Sequence, residues 1–171
     1  MKKLYLFIFI LLGLFAFSPE SNAQTTNPSF QEGDLVLNAG IGLGTTFAWG
    51  AGGLGLPLGA GLEYGVKDAI GVGGDFGFIS GSGITVFFIG AKGSYHFNDI
   101  FNIEDEKWDV YGGLGLYYRA FNFSGITSSL GSGIYPAFHA GARYYLSENF
   151  GIHAELGNTV GWLRVGVAFK F

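Results

Sequence analysis

Apolar and small or polar residues alternate with a period of two along most of the chain. In the last segment Leu163, Val165, Val167, Phe169 and Phe171 alternate with Arg164, Gly166, Ala168 and Lys170. Between positions 57 and 66, Leu58, Ala60, Leu62, Tyr64 and Val66 alternate with Gly59, Gly61, Glu63 and Gly65. From Ile70 to Phe78 the apolar set is Ile70, Val72, Phe76 and Phe78, with Gly71, Gly73, Asp75 and Gly77 opposite. A period of two belongs to strands, because successive side chains point to opposite faces of a sheet. The same reading places strands near 34–44, 85–97, 108–120, 135–146 and 150–157, which makes eight, most of 8–13 residues. A strand that crosses a membrane needs about 9–11 residues.

The connections alternate in character. Lys67-Asp68-Ala69, Ser147-Glu148-Asn149 and the stretch Asn98–Lys107 form one set. The other set, near 45–56, 79–84, 121–134 and 158–161, is rich in Gly, Ser and Thr, and two of its members are expected to be long loops. Short turns at one end and longer loops at the other are the layout of an up-and-down membrane barrel. An even strand count puts both chain ends on the short-turn side.

Alternation by itself does not say which face is inside, since a soluble barrel inverts a membrane barrel. The charges decide it. Apart from Asp34 at a strand edge, the strand charges Glu63, Asp75, Lys92, Asp109, Arg119, Arg143, Glu155, Arg164 and Lys170 all fall opposite the large apolar residues. Glycine dominates that same face. Glycine is a poor choice for a solvated strand surface, where it packs nothing, but it suits the narrow interior of an eight-stranded barrel. The glycine and charge face is therefore expected to point inward, and the Leu, Val and Phe face toward lipid. In hydrocarbon the backbone has no water to bond, so the sheet must close and leave no edge. The expected fold is all-β: an eight-stranded antiparallel up-and-down transmembrane β-barrel.

The chain has 171 residues with 31 Gly, 18 Phe and no Cys, and only 13% of its residues are charged. The absence of cysteine excludes disulfide scaffolds, Cys-zinc sites and a lipidated bacterial N-terminus. Lys2 and Lys3 precede an apolar run from Leu4 to Phe17, followed by Pro19 and the small-residue site Ser21-Asn22-Ala23. That is the layout of a cleaved secretory signal. Residues 1–23 are expected to be a signal peptide and 24–171 the barrel domain. Without Lys2, Lys3 and Glu20 the formal charge moves from −4 to −5. Seven scattered cations then offer no basic stripe for nucleic acid.

Aromatic positions follow the same geometry. Tyr64, Tyr95, Phe97, Tyr144, Phe150, Phe169 and Phe171 fall on the outward face near the short turns. Phe47, Trp49, Phe76, Phe78, Phe87 and Tyr118 fall outward near the loops, whereas Phe88, Tyr111 and Tyr117 fall inside. Two aromatic girdles flanking an apolar band mark the two interfaces of a membrane barrel.

Three segments carry a family likeness: Gly59-Ala60-Gly61-Leu62-Glu63-Tyr64-Gly65, Ala140-Gly141-Ala142-Arg143-Tyr144-Tyr145-Leu146 and Val165-Gly166-Val167-Ala168-Phe169-Lys170-Phe171. Through them the chain resembles the small outer-membrane β-barrel family typified by the OmpA membrane domain and OmpX. The resemblance implies residence in a Gram-negative outer membrane, as a monomer, among outer-membrane lipid and lipopolysaccharide. It also implies that Leu163, Val165, Val167, Phe169 and the terminal Phe171 form the signal read by the barrel-assembly machinery. It says little about activity, since one barrel fold hosts many functions.

The inward set is the candidate site. It comprises Glu63, Asp75, Lys92, His96, Asp109, Arg119, His139, Arg143, Tyr145, His153, Glu155, Arg164 and Lys170, with Ser94, Tyr111 and Asn38 on the same face. Buried charges must be paired, so these side chains are expected to fill the lumen as a polar network. A narrow channel for a small or hydrophobic solute is the alternative. Ser94 and His96 share the inward face, as do His153 and Glu155, which leaves a Ser-His-Glu hydrolase grouping as a third, weaker option. His96, His139 and His153 lack metal-ligand spacing, and neither metal nor cofactor is expected.

Overall fold

Residues 29–44, 55–81, 83–123 and 126–171 are described by a computed structural model. The expected signal peptide, and Phe47 and Trp49 of the first loop, lie outside the described residues. The elements are β1 (Leu35–Leu43), β2 (Leu58–Lys67), β3 (Ile70–Gly81), β4 (Ile84–His96), α1 (Asn98–Phe101), β5 (Trp108–Phe123), β6 (Ile126–Tyr145), β7 (Phe150–Gly157) and β8 (Leu163–Lys170). Each strand pairs antiparallel with its sequence neighbour, and β8 returns to β1 to close the barrel. The closing ladder runs from Val36↔Lys170 to Leu43↔Leu163. Past its end, Phe171 N–H donates to Leu35 O at 2.9 Å.

Strand registers put the faces where the alternation predicts. Along β2, Gly61, Glu63 and Gly65 are buried while Leu58, Leu62 and Val66 are exposed. The outward face is an unbroken apolar belt, with Leu114 73% and Ile134 76% exposed to the surroundings. An apolar surface of this extent cannot face water without association; it is a lipid-facing surface. The outward aromatics pair across strands near the short turns, Trp108 with Tyr144 at 4.9 Å and Phe150 with Phe169 at 5.2 Å between ring centroids.

Two of the expected loops are strand instead. The stretch expected as a long loop at 121–134 continues β5 and β6 as a paired hairpin, with Phe121↔Ser128 and Phe123↔Ile126 in register. The inward period of two already runs Tyr117, Arg119, Phe121. The ladder absorbs the Gly- and Ser-rich side in a bulge between Arg119 and Phe121, where Gly131 takes φ 77° and Ser132 Oγ accepts Phe121 N–H at 3.0 Å. Likewise β3 and β4 run to Gly81 and Ile84, held at the tip by Ser80 Oγ and Thr85 Oγ1 at 2.8 Å. The wall formed by β3–β6 therefore stands taller than that formed by β7, β8, β1 and β2. On the low side β7 reaches β6 only as far as Gly157↔His139. Beyond that pair the Asn158 side chain takes over, accepting Phe138 N–H at 2.7 Å and donating to Pro136 O at 3.1 Å.

Candidate functional site: the charges in the lumen

Inward positions of seven strands bring ionisable side chains into the barrel axis, and they sort into two clusters. In the lower cluster, nearer the short turns, Arg143 of β6 reaches across to the opposite wall. Its Nη1 donates to Asp109 Oδ2 at 2.5 Å, its Nη2 pairs with Glu63 Oε2, and its Nε donates to Asn38 Oδ1 at 3.1 Å. His96 bridges the same two carboxylates, with Nδ1 2.6 Å from Asp109 Oδ1 and Nε2 3.6 Å from Glu63 Oε1. In the upper cluster Arg164 sits between Asp75 and Glu155, 3.0 Å from each. Lys92 Nζ lies 3.2 Å from Asp75 and 3.7 Å from Glu155. Tyr117 donates its hydroxyl to Asp75 at 2.5 Å, and Thr159 donates to Glu155 at 3.1 Å.

Tyr111 joins the two clusters. Its ring lies under the Arg143 guanidinium at 4.1 Å, and its hydroxyl donates to Glu155 at 3.2 Å. Every carboxylate of both clusters thus meets a cation and a hydrogen-bond donor. That is the condition under which burying charge in a low-dielectric space is tolerable. The glycine wall provides the room. A Cβ at Gly61 would stand 1.9 Å from Asp75 Oδ1, and one at Gly90 would stand 2.3 Å from the Tyr117 ring.

The remaining sequence-predicted residues lie around this axis. Arg119, toward the loop end, has its guanidinium 5.4 Å from the Phe121 ring and 5.0 Å from Tyr135. Tyr145 is buried near the short turns beneath Lys170 Nζ, 5.2 Å from its ring. Lys170 is at the mouth rather than within the closed interior: its side chain is 20% exposed and pairs with Asp34 at 3.8 Å. His153 Nδ1 lies 3.2 Å from the backbone oxygen of Val167. The Ser-His-Glu grouping does not assemble. Ser94 bonds His139 Nε2 at 3.0 Å, not His96; His139 Nδ1 has no hydrogen-bond partner among the described residues, and Glu155 is engaged by Arg164, Lys92, Tyr111 and Thr159. Among the described residues no group of three His, Asp or Glu side chains is arranged to hold a metal ion.

Apolar side chains pack at both ends of the polar column, and of these sequence reasoning placed only Phe88 inside. At the loop end Ile79, Val86 and Phe88 form a buried cluster with Phe121 packed against it. Ile79 and Val86 continue the inward parity of β3 and β4, so that part was readable once the strands are extended. Val160, from the β7–β8 loop, folds back into the barrel and fills the hollow left by Gly59 and Gly77, whose Cβ atoms would meet it at 2.9 and 3.1 Å. At the short-turn end Phe30 enters the mouth and stacks on His96, with centroids 3.5 Å apart and planes 5° from parallel. Nothing in the local pattern around Val160 or Phe30 signals an inward turn.

The sequence matches no protein-family model and no curated protein. Solved structures do match in three dimensions. The outer membrane protein OprG of Pseudomonas aeruginosa superposes with a TM-score of 0.58 at 15% identity, over 85% of this chain and 99% of that one. The N-terminal β-barrel domain of Pseudomonas aeruginosa OprF gives 0.56 at 19% identity, over 83% and 100%. Neisserial surface protein A gives 0.54 at 17% identity, over 81% and 94%. With eight strands in a closed antiparallel order, this chain has the fold of the small outer-membrane β-barrels.

Proposed function

We propose that this protein is an integral outer-membrane barrel of a Gram-negative bacterium, delivered there by a cleaved N-terminal signal. In this reading it acts without catalysis and as a monomer, contributing to envelope structure or surface interaction. The observation that carries it is the pairing of Arg143 and Arg164 each with a carboxylate on the adjacent strand, Asp109 and Glu155, and with one across the barrel, Glu63 and Asp75. Side chains so tied together rigidify a cylinder and leave little reason for a solute to enter. The apolar caps around Val160 and Phe30 support the same reading, and Ser94–His139 lacks the carboxylate that would orient the imidazole for nucleophilic catalysis. The experiment is planar-bilayer recording with purified refolded protein. The expected result is no steady conductance; a stable open level would overturn the filled-lumen reading.

One observation favours the channel alternative. Asn38 Nδ2, His139 Nδ1, Tyr145 OH and His153 Nε2 are buried without a hydrogen-bonding partner among the described residues. Such atoms call for water. A thread of water linking them would be seen as proton or small-ion leak in the same recordings, graded with voltage.

A further inference from the structure

The segment Ser29–Asp34 precedes β1, which begins at Leu35, and lies outside the ladder that closes the barrel. It crosses the short-turn mouth as a strap. Its backbone is latched to β2, with Gly33 N–H donating to Gly65 O at 2.9 Å and Gly65 N–H donating to Asp34 O at 2.8 Å. Four further links are polar: Glu32 N–H to Asp68 at 3.2 Å, Asn98 Nδ2 to Ser29 Oγ at 2.9 Å, Lys170 Nζ to Ser29 O at 3.4 Å, and Lys170 Nζ to Asp34 at 3.8 Å. Its one apolar anchor is Phe30, 4% exposed, lying flat on His96. A cavity of about 570 Å³ opens beside the strap, bounded by Phe30 and His96 on its inner side and by Asp68, Asp99, Glu104 and Glu106 around it. Beneath His96 lie Asp109, Glu63 and Arg143.

We propose that Ser29–Asp34 is a releasable lid, held down by Phe30, that controls access of water and small solutes from the short-turn end to the His96–Asp109–Glu63–Arg143 cluster. The barrel does not depend on it, since β1 and β8 pair without it. Its attachment depends on few contacts, which is the profile of a segment that opens locally while the rest stays folded. The fit is close. A Cβ at Gly65 would stand 2.1 Å from Gln31 O, so only glycine there lets the strap lie down.

Carbethoxylation of histidine in the refolded protein in detergent, mapped by mass spectrometry, tests this. His139 and His153, buried to a like degree but not stacked on Phe30, serve as internal references. In the native protein His96 is expected to react slowly. Phe30→Ala is expected to raise its rate about tenfold or more, as local opening becomes easier, and to leave His139 and His153 unchanged. Gly65→Ala, which lifts the strap without touching Phe30 or the charge cluster, is expected to do the same, while Phe30→Trp stays slow. Folding of each variant is read from its mobility on unheated SDS gels. If folded Phe30→Ala and Gly65→Ala react at His96 as slowly as the native protein, or if all three histidines speed up together, the lid is disproved.

Discussion

Arg143 on β6 and Glu63 on β2 stand on opposite walls of the barrel, four strands apart, and their side chains meet at its axis. Asp109 and Asn38 hold the same guanidinium from two further strands. One side chain thereby ties β1, β2, β5 and β6 into a single cross-brace, which no hairpin could provide.

Removing that brace is expected to be costly. Arg143→Met leaves Glu63 and Asp109 buried with the His96 imidazole as their shared side-chain partner. Loss of one partner of a buried pair costs about 3–5 kcal/mol. Urea unfolding of the refolded protein, followed by tryptophan fluorescence, should show a loss of that size. Converting Glu63 to Gln and Asp109 to Asn in the same chain should recover part of it, because the uncompensated charges are gone.

The β1–β8 seam is expected to reject side chains. A Cβ at Gly166 would lie 2.0 Å from Ala39 O and 2.5 Å from Gly40 Cα. Backbone cannot step aside as a flexible side chain can, so Gly166→Ala should cost about 1–3 kcal/mol as overpacking does. Gly133→Ala, where nothing lies within 4 Å, is the control and should change the unfolding midpoint little.

Charge on the outer belt should be resisted in proportion to depth. Leu62 and Val165 both point outward, and Leu62 is 43% exposed. Replacing either with Arg should cost about 2–4 kcal/mol if it sits near the bilayer midplane. Refolding titrations into phosphatidylcholine vesicles measure it, and a neutral result would contradict the facing assigned to β2 and β8.

Deletion of Phe171 is expected to impair assembly in cells. Phe171 is 71% exposed and, among the described residues, hydrogen-bonds through its backbone to Leu35. Its loss should therefore disturb the finished barrel little. A defect in membrane insertion that is absent when the truncated chain is refolded into detergent would separate the assembly signal from stability.

Periodicity and composition by themselves determined the strand count, the closed architecture and the facing of nearly every inward residue. These are local properties: a two-residue alternation dictates which face a side chain takes, and the coincidence of Gly61, Glu63 and Gly65 on one face says that face has little room. The extra length of β5 and β6 escaped because Ser- and Gly-rich segments read as loop until a partner strand satisfies their backbone. What the tertiary structure alone decided was partnership. Strand parity places Ser94 and His96 on one face, but the register across β5, where Gly113 pairs with both Ser94 and His139, brings Ser94 to His139 on β6 and leaves His96 to Asp109 and Glu63. The inward turns of Phe30 and Val160 belong to the same class. Each fills a space that exists only once the walls have closed around it, and no residue's neighbours in sequence carry the shape of a cavity made by the opposite wall.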